Sequence, residues 1–464
     1  MTLRLELLDH TSPAWPAEIA ALWAALGAPE NPQLLPDYFV QTTFVKMGGL
    51  ALRLYEGDSL AGVGLLFPRG LEGGRRAYTL RVSLGGWGLG VGGWGLGVGG
   101  WGLGIRGQIA ESELSRAADH LLTRYSTGLD VRGPTPNPQP PTPNLQVLIP
   151  ESRTYTATHR EIGGFAIGAP GEHELPAIRA QHMAIWGAAP GAQYPDDLHS
   201  AEFGPATSLV ARTNGKLAGF LLGFYRFGGL EGLERVGVDT SLSIESQVMG
   251  VDPTLRRVGL AATLKRAQAT DAMARGVGLI HWTADPLQFA NATLNFHKLR
   301  AVAGEFYPAY YPFQNELNRV PASRLGIAWL PATAWGRAGL TDGPRRDRSL
   351  ARFIGCAVLN AGPCALRGPG GAPHIAVEIP ADWTALQAAD LDAAAAWRAA
   401  TDAILAETVG FAPGRYLIAD VATEGDRRYL VGHAFDPAMV IRGVASNNTA
   451  HGEGVGELRS PTKN

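Results

Sequence analysis

The chain has 464 residues, 40 of them basic and 42 acidic, for a net charge near −2, so no global field draws it to nucleic acid or to an anionic membrane. Its two cysteines, Cys356 and Cys364, match no metal motif and build no disulfide framework, which fits a reducing cytoplasm and no metal. The N-terminus lacks the basic start and apolar run of a signal peptide, and no stretch approaches about 18 uninterrupted apolar residues, so neither export nor a membrane span is expected.

This length predicts two or three domains. Residues 1–128 read as an N-terminal αβ domain, with a helix over 17–26 and strands over 50–55 and 60–67 around Glu56-Gly57-Asp58. Three near-identical heptapeptides, GWGLGVG, GWGLGVG and GWGLGIR, occupy 86–106. Their near-identity makes an in-frame expansion in a tolerant surface hairpin the reading rather than an aromatic interaction surface, and the lack of interleaved basic residues argues against nucleic-acid binding. A helix is expected over 111–125. The segment 129–160 contains GPTPNPQPPTPN, a stiff extended spacer.

From 161 to 325 the pattern is β-α-β-β-β-α-β-α. A strand at 165–167 precedes a helical stripe, Leu175, Ile178, His182 and Ile185. Asn214-Gly215 turns a hairpin between strands 208–211 and 218–224. A strand at 278–283 and a short helix at 292–299 complete the set. Residues 326–440 read as an αβ extension, with a strand at 375–379, an Ala-rich helix over 383–408 and strands at 415–421 and 429–432. Residues 441–464 are expected to be a disordered tail.

The most informative stretch is 241–268, SLSIESQVMGVDPTLRRVGLAATLKRAQ. Leu242, Ile244, Val248 and Val251 form a strand that Asp252-Pro253 ends. Leu260, Leu264 and Ala267 then mark one face of a helix that runs toward Gly276. The junction reads Arg256-Arg257-Val258-Gly259-Leu260-Ala261-Ala262. Small residues there let a ligand approach the backbone, and free N–H groups at a helix start suit a pyrophosphate.

This R-x-x-G-x-A between a V-x-P strand and a helix resembles the acyl-CoA loop of the GNAT N-acyltransferase superfamily. Trp282-Thr283-Ala284-Asp285-Pro286-Leu287, then Asn291, Asn295 and Lys298-Leu299-Arg300-Ala301-Val302, with Tyr307, Tyr310 and Tyr311 beyond, are similar to one bacterial branch of that superfamily. The resemblance implies an α/β (α+β) GNAT fold, a mixed and mostly antiparallel sheet flanked by helices, with a C-terminal extension. The N-terminal region is read as a second, degenerate GNAT unit. The resemblance further implies acetyl-CoA or another acyl-CoA as co-substrate, held by Arg256, Arg257, Val258, Gly259, Leu260, Ala261 and Ala262, with Asn291 and Asn295 as contacts. A bend near Met249-Gly250 lets pantetheine slot between two strands beside Met249 and Val251, a backbone N–H polarising the thioester carbonyl.

The catalytic residues depart from the usual pattern. Glu245 and Gln247, two apart on the strand, point to one face, where relatives of the branch often carry histidine. Glu245 is either a base, aided if burial raises its carboxyl, or a residue that orders the acceptor or makes a structural hydrogen bond. The position of the usual tyrosine acid is Phe296, so either the thiolate leaves without a dedicated acid or Tyr310, Tyr307 or His297 substitutes. His281 and Trp282 are read as a hydrogen-bonded and a packing residue. The function that follows is transfer of an acetyl or other short acyl group to a small-molecule amine, for which an amino acid is one candidate. The alternative is a non-catalytic CoA-binding scaffold; a homodimer stays open.

Overall fold

The computed structural model describes residues 3–25, 38–72, 74–84, 146–148, 153–187, 193–204, 207–311, 318–341, 347–437 and 440. The Trp heptapeptides, the helix expected over 111–125, the Pro-rich spacer at 133–144 and the tail lie outside the described residues.

The N-terminal region forms a five-stranded sheet in sequential order. Strand β1 (Leu3–Leu7) leads to helix α1 (Trp15–Ala25), a π-helical segment (Phe39–Phe44), and strands β2 (Leu50–Glu56), β3 (Ser59–Glu72), β4 (Arg75–Leu84) and β5 (Gln146–Leu148). Trp15, Ile19, Leu22 and Trp23 recur at helical spacing and are buried with Phe39, Val40 and Phe44. Leu222 and Phe224 join this core, so the N-terminal unit covers one face of the second sheet.

That second sheet has twelve strands. It begins with β6 (Arg160–Ile162) and β7 (Phe165–Gly168), then helix α2 (Leu175–Trp186), β8 (Ser208–Thr213) and β9 (Lys216–Arg226). Positive φ at Asn214 (49°) and Gly215 (71°) makes the expected two-residue turn between β8 and β9. Strand β10 (Ser243–Val251), helix α3 (Leu260–Met273) and strand β11 (Ile280–Ala284) follow. A short helix (Phe289–Ala292) and a π-helical turn (Thr293–Lys298) then lead to β12 (Val302–Tyr311) and β13 (Ala322–Trp329).

The order β7-α2-β8-β9-β10-α3-β11 has a parallel in the N-terminal unit. There β1 pairs antiparallel with β2, β2 with β3, and β3 with β4, while β4 pairs parallel with β5. The senses from β7 to β11 are the same, ending in the parallel pair β10–β11.

Sequence patterning misses β12 and β13, because Gly304, Pro308 and Gly326 interrupt their alternation. The boundary expected at 325 falls inside β13 (Ala322–Trp329). Beyond it lie β14 (Cys356–Val358), the small hairpin β15 (Asn360–Ala361) and β16 (Cys364–Ala365), and β17 (His374–Ile379). Helices α4 (Trp383–Ala389) and α5 (Leu391–Thr408) and strands β18 (Tyr416–Glu424) and β19 (Arg427–Ala434) follow among the described residues. The single helix expected over 383–408 is two. Asp390 adopts an extended backbone and its side chain accepts from the Ala393 N–H, capping a new start. The extension joins the main sheet where Ala303 of β12 faces Ile418 of β18. Its Ile375, Val377, Ile418 and Leu430 share one core with Ile280, Trp282, Phe296 and Ile327.

Candidate functional site

Strands β10 and β11 pair only at Ile244↔Ile280 and Glu245↔His281, and then part. The bulge that turns β10 away lies between Glu245 and Val248, at Ser246-Gln247, earlier than the expected Met249-Gly250. Past it, Met249 and Val251 face Leu221 and Gly219 on β9. Every second N–H of an antiparallel pair points away from its partner, so alternate amides beyond the bulge look into the widening fork between β10 and β11.

The loop that closes β10 delivers the expected helix start. Asp252 caps the turn, its carboxylate accepting from the Thr254 N–H at 2.8 Å. Arg257 (φ 72°) and Gly259 (φ 95°) both take left-handed backbone, and no atom stands within 4 Å of where a Gly259 Cβ would project. Helix α3 opens with the bond from Thr263 N–H to Gly259 C=O at 3.1 Å, which leaves the amides of Leu260, Ala261 and Ala262 directed out of the helix end. Arg256, Arg257 and Val258 are exposed around them, and no acidic residue occupies the first turn. Backbone donors, an open cradle and two cations fit a pyrophosphate.

The two asparagines are not brought to one surface: Asn291 is exposed, Asn295 buried. Phe296 is fully buried in the central core. His297 Nδ1 lies 2.9 Å from Asp420 Oδ1 on β18, which ties the ring to the C-terminal extension.

Glu245 is 4% exposed. Its Oε2 accepts from Arg226 at 2.9 Å and lies 2.8 Å from His281 Nδ1. Burial alone would raise this carboxyl, but the His281 ring and the Arg226 guanidinium outweigh it and hold it at about 2. Such a carboxylate is a poor proton acceptor, which favours the ordering role of the two that sequence left open. His281, whose charge burial opposes and Glu245 supports, titrates above its ordinary range. Its Nε2 stands 3.6 Å from Glu305 Oε2, an ion-pair distance rather than a hydrogen bond. Glu305 accepts from Tyr307 Oη at 2.8 Å.

Glu305 reaches His281 from β12 by crossing β13 at Gly326. A Cβ there would meet Glu305 Oε2 at 2.8 Å and Glu305 Cβ at 3.0 Å. Gly326→Ala is expected to cost about 1–3 kcal/mol by overpacking, and NMR titration should show the His281 pKa falling as Glu305 is pushed aside.

Gln247 donates from Nε2 to Tyr194 Oη at 3.0 Å. Glu245 raises the phenol pKa of both Tyr194 and Tyr310 after the larger effect of burial, so these side chains converge around its charge. Tyr310 packs edge-on against Tyr38 at 6.4 Å, and Lys46 Nζ stands 5.4 Å from its ring centroid. Glu245, Gln247 and Tyr310 are thus gathered on the face that the N-terminal unit covers. The opposite face of the fork carries α3. A cavity of about 740 Å³, lined by Tyr225, Asp239, Leu242, Arg275 and Leu330, opens at the N-terminal ends of β10 and β11, the far end from the Gly259 loop, and does not belong to this site.

Strand order, the parallel fork and the glycine turn into α3 are those of the GNAT fold, a mixed and mostly antiparallel sheet flanked by helices. Solved GNAT enzymes are similar to it over about a third of its length. Ard1 from Thermoplasma volcanium is 14% identical, with 36% of this chain and 97% of that one covered and a TM-score of 0.27. The ribosomal-protein-S18-alanine N-acetyltransferase from Escherichia coli is 19% identical, with 35% and 92% covered and a TM-score of 0.26. Diaminobutyrate acetyltransferase EctA from Paenibacillus lautus, solved with L-2,4-diaminobutyric acid and coenzyme A, is 15% identical, with 35% and 93% covered and a TM-score of 0.27. Likeness this low carries neither substrate nor mechanism. No protein-family model and no curated protein matches the chain. Among the described residues, no helix is long and apolar enough to cross a membrane.

Proposed function

We propose that the chain is a cytoplasmic N-acyltransferase that moves a short acyl group from acyl-CoA to the amine of a small molecule. The observation that carries this is the fork between β10 and β11 opening beside the outward amides of Leu260–Ala262. The loop Arg256–Ala262 holds the pyrophosphate, pantetheine lies along Met249 and Val251, and a fork-facing amide of β10 polarises the thioester carbonyl. The acceptor lies on the other face, where Gln247, Tyr194 and Tyr310 orient it. The neutral amine attacks. Because Glu245 is held near 2, it does not set the rising limb of the rate with pH, which follows ionisation of the acceptor amine itself.

A thermal-shift series with acetyl-CoA, succinyl-CoA and CoA tests the binding half: each should raise Tm by mass action, and no shift with any of them sinks the proposal. Gly259→Val forces a β-branched residue into left-handed backbone, a strain of about 1–3 kcal/mol. The loop should relax, the amides turn away and CoA affinity fall by roughly tenfold in calorimetry.

One observation favours a second reading, a CoA-binding protein without turnover: Phe296, buried where the tyrosine acid is usual, has no proton to give. Thiol release from acetyl-CoA across a panel of small amines separates the two.

A further inference from the structure

The reaction proposed above lacks a donor for the departing thiolate. Phe296 has none, His297 is committed to Asp420, and Tyr310 lies on the acceptor face. Lys265, on the α3 side of the fork, is so far unused. It is 3% exposed. Leu260, Leu264 and Ala267 of the same helix pack on Leu209, Ala211 and Leu221, and this aims the neighbouring stripe, Ala262, Lys265 and Ala269, at the gap between β10 and β11.

There Lys265 Nζ donates to Ser246 Oγ at 2.8 Å, and Ser246 Oγ in turn donates to Gln268 Oε1 at 2.8 Å. Ser246 follows Glu245, the last residue of β10 that pairs with β11, and lies in the bulge. From the other strand, the Trp282 ring covers the same amine, with Nζ 3.7 Å from its centroid. One amine therefore bridges both strands just where they separate. A purely structural lysine would reach solvent with its head, since burying an ammonium is costly. This one is held inside by a hydroxyl and a ring face that favours a cation.

We propose, resting on the acyl-CoA reading above, that the Lys265 ammonium meets the CoA sulfur at the fork and protonates it as it leaves. When the tetrahedral adduct collapses, the carbon–sulfur bond breaks and its electron pair stays on sulfur. One N–H proton passes from Lys265 to that sulfur, so CoA leaves as the thiol and Lys265 is left neutral. The acceptor nitrogen, now bonded to the acyl carbon, releases its surplus proton to solvent, and one proton from solvent restores Lys265. The sum is acyl-CoA plus amine giving amide plus CoA thiol.

Burial lowers the Lys265 pKa to about 7, with Glu245 opposing the shift, which suits an acid that must give and regain a proton near neutrality. Glu245 on β10 is the charged group that acts on it, while Ser246, Gln268 and the Trp282 ring from β11 are neutral partners.

The test uses the full chain with CoA itself as probe, reading affinity by calorimetry and thiol ionisation by ultraviolet thiolate absorbance across pH. CoA bound to the unaltered chain should ionise about 1–3 pH units below free CoA, as expected beside a cation. Lys265→Met should abolish that difference and change affinity by less than about threefold, because the pyrophosphate loop is untouched. Lys265→Arg should keep it, since a guanidinium stays charged. If Lys265→Met does not fold, the arginine variant still decides, and a bound thiol that ionises like free CoA in it overturns the proposal. Equal thiol ionisation in the unaltered chain and Lys265→Met also overturns it while leaving CoA binding intact. Absence of CoA binding to the unaltered chain overturns the acyl-CoA reading first. Mass spectrometry that finds Lys265 acetylated after incubation with acetyl-CoA makes it an acceptor and overturns the acid role.

Discussion

Glu245→Gln is expected to destabilise the chain by about 3–5 kcal/mol, because it removes the carboxylate from a buried cluster and leaves the buried Arg226 guanidinium without its counter-charge. The loss depends on pH with a definite sign. Glu245 is held at about 2 against an ordinary 4.5, so its contribution is present above 4.5 and disappears as pH falls through 2. His281 is raised above its ordinary 6.5, so its contribution is full below 6.5 and is lost as pH rises through its folded value. The pair therefore contributes most between 4.5 and 6.5. The difference between the two proteins in urea unfolding should peak there and shrink on either side. A difference that does not shrink as pH rises above 6.5 would mean that His281 does not titrate with Glu245 in the folded chain. The same variant separates the two roles of Glu245. An ordering residue loses stability and acceptor affinity together, whereas a base would lose turnover with acceptor affinity kept.

The contrast between Glu245 and the Gly259 loop shows what a sequence carries. The loop was legible because its structure is local: Asp252-Pro253 ends a strand, Gly259 supplies a left-handed turn, and Leu260, Leu264 and Ala267 define a helix within a few residues. The Asn214-Gly215 hairpin was legible for the same reason. The acidity of Glu245 depends instead on Arg226 from β9 and His281 from β11, 19 and 36 residues away, and no spacing rule places them. Lys265 is similar. Its helix was visible, but on pattern alone a lysine among alanines reads as a solvated edge, and only the parting of β10 from β11 turns that edge inward. The break at Asp390 is an intermediate case. Asp before a helical run is a capping signal, yet the alanine-rich stretch on both sides masked it. Strands β12 and β13 were missed because glycines needed for tertiary reasons, Gly326 under Glu305 among them, erase the alternation that marks a strand.

The largest effect on how the chain holds together is expected at Asp285, the acidic residue of the W-x-x-D-P-L stretch. The resemblance associates that stretch with the acyl-CoA unit, but the structure also uses it as a clamp. Asp285 Oδ2 accepts from Arg398 Nη2 of α5 at 2.7 Å and lies 3.3 Å from Arg324 Nη1 of β13, while Oδ1 accepts from the Leu287 N–H at 2.9 Å. Arg398 is 4% exposed and stacks over Trp383, with its guanidinium carbon 5.0 Å from the ring centroid. Asp285→Ala leaves that guanidinium buried with only Asp402, 3.8 Å away, and should cost about 3–5 kcal/mol. Arg398→Met leaves Asp285 with Arg324 and a backbone donor in a less buried position, so its cost should be smaller. In the double variant both ions are gone, the desolvation penalty goes with them, and stability should recover above that of Asp285→Ala alone. A urea double-mutant cycle reads this directly, and strictly additive losses would contradict the clamp. Hydrogen exchange adds the spatial half. In Asp285→Ala, amides of α5 should exchange before those of α3, because the lost contact holds the C-terminal helix layer to the fork-bearing unit and leaves the Leu260–Leu264 packing untouched. The extension then acts on the site mechanically, by fixing the end of the strand that forms one arm of the fork.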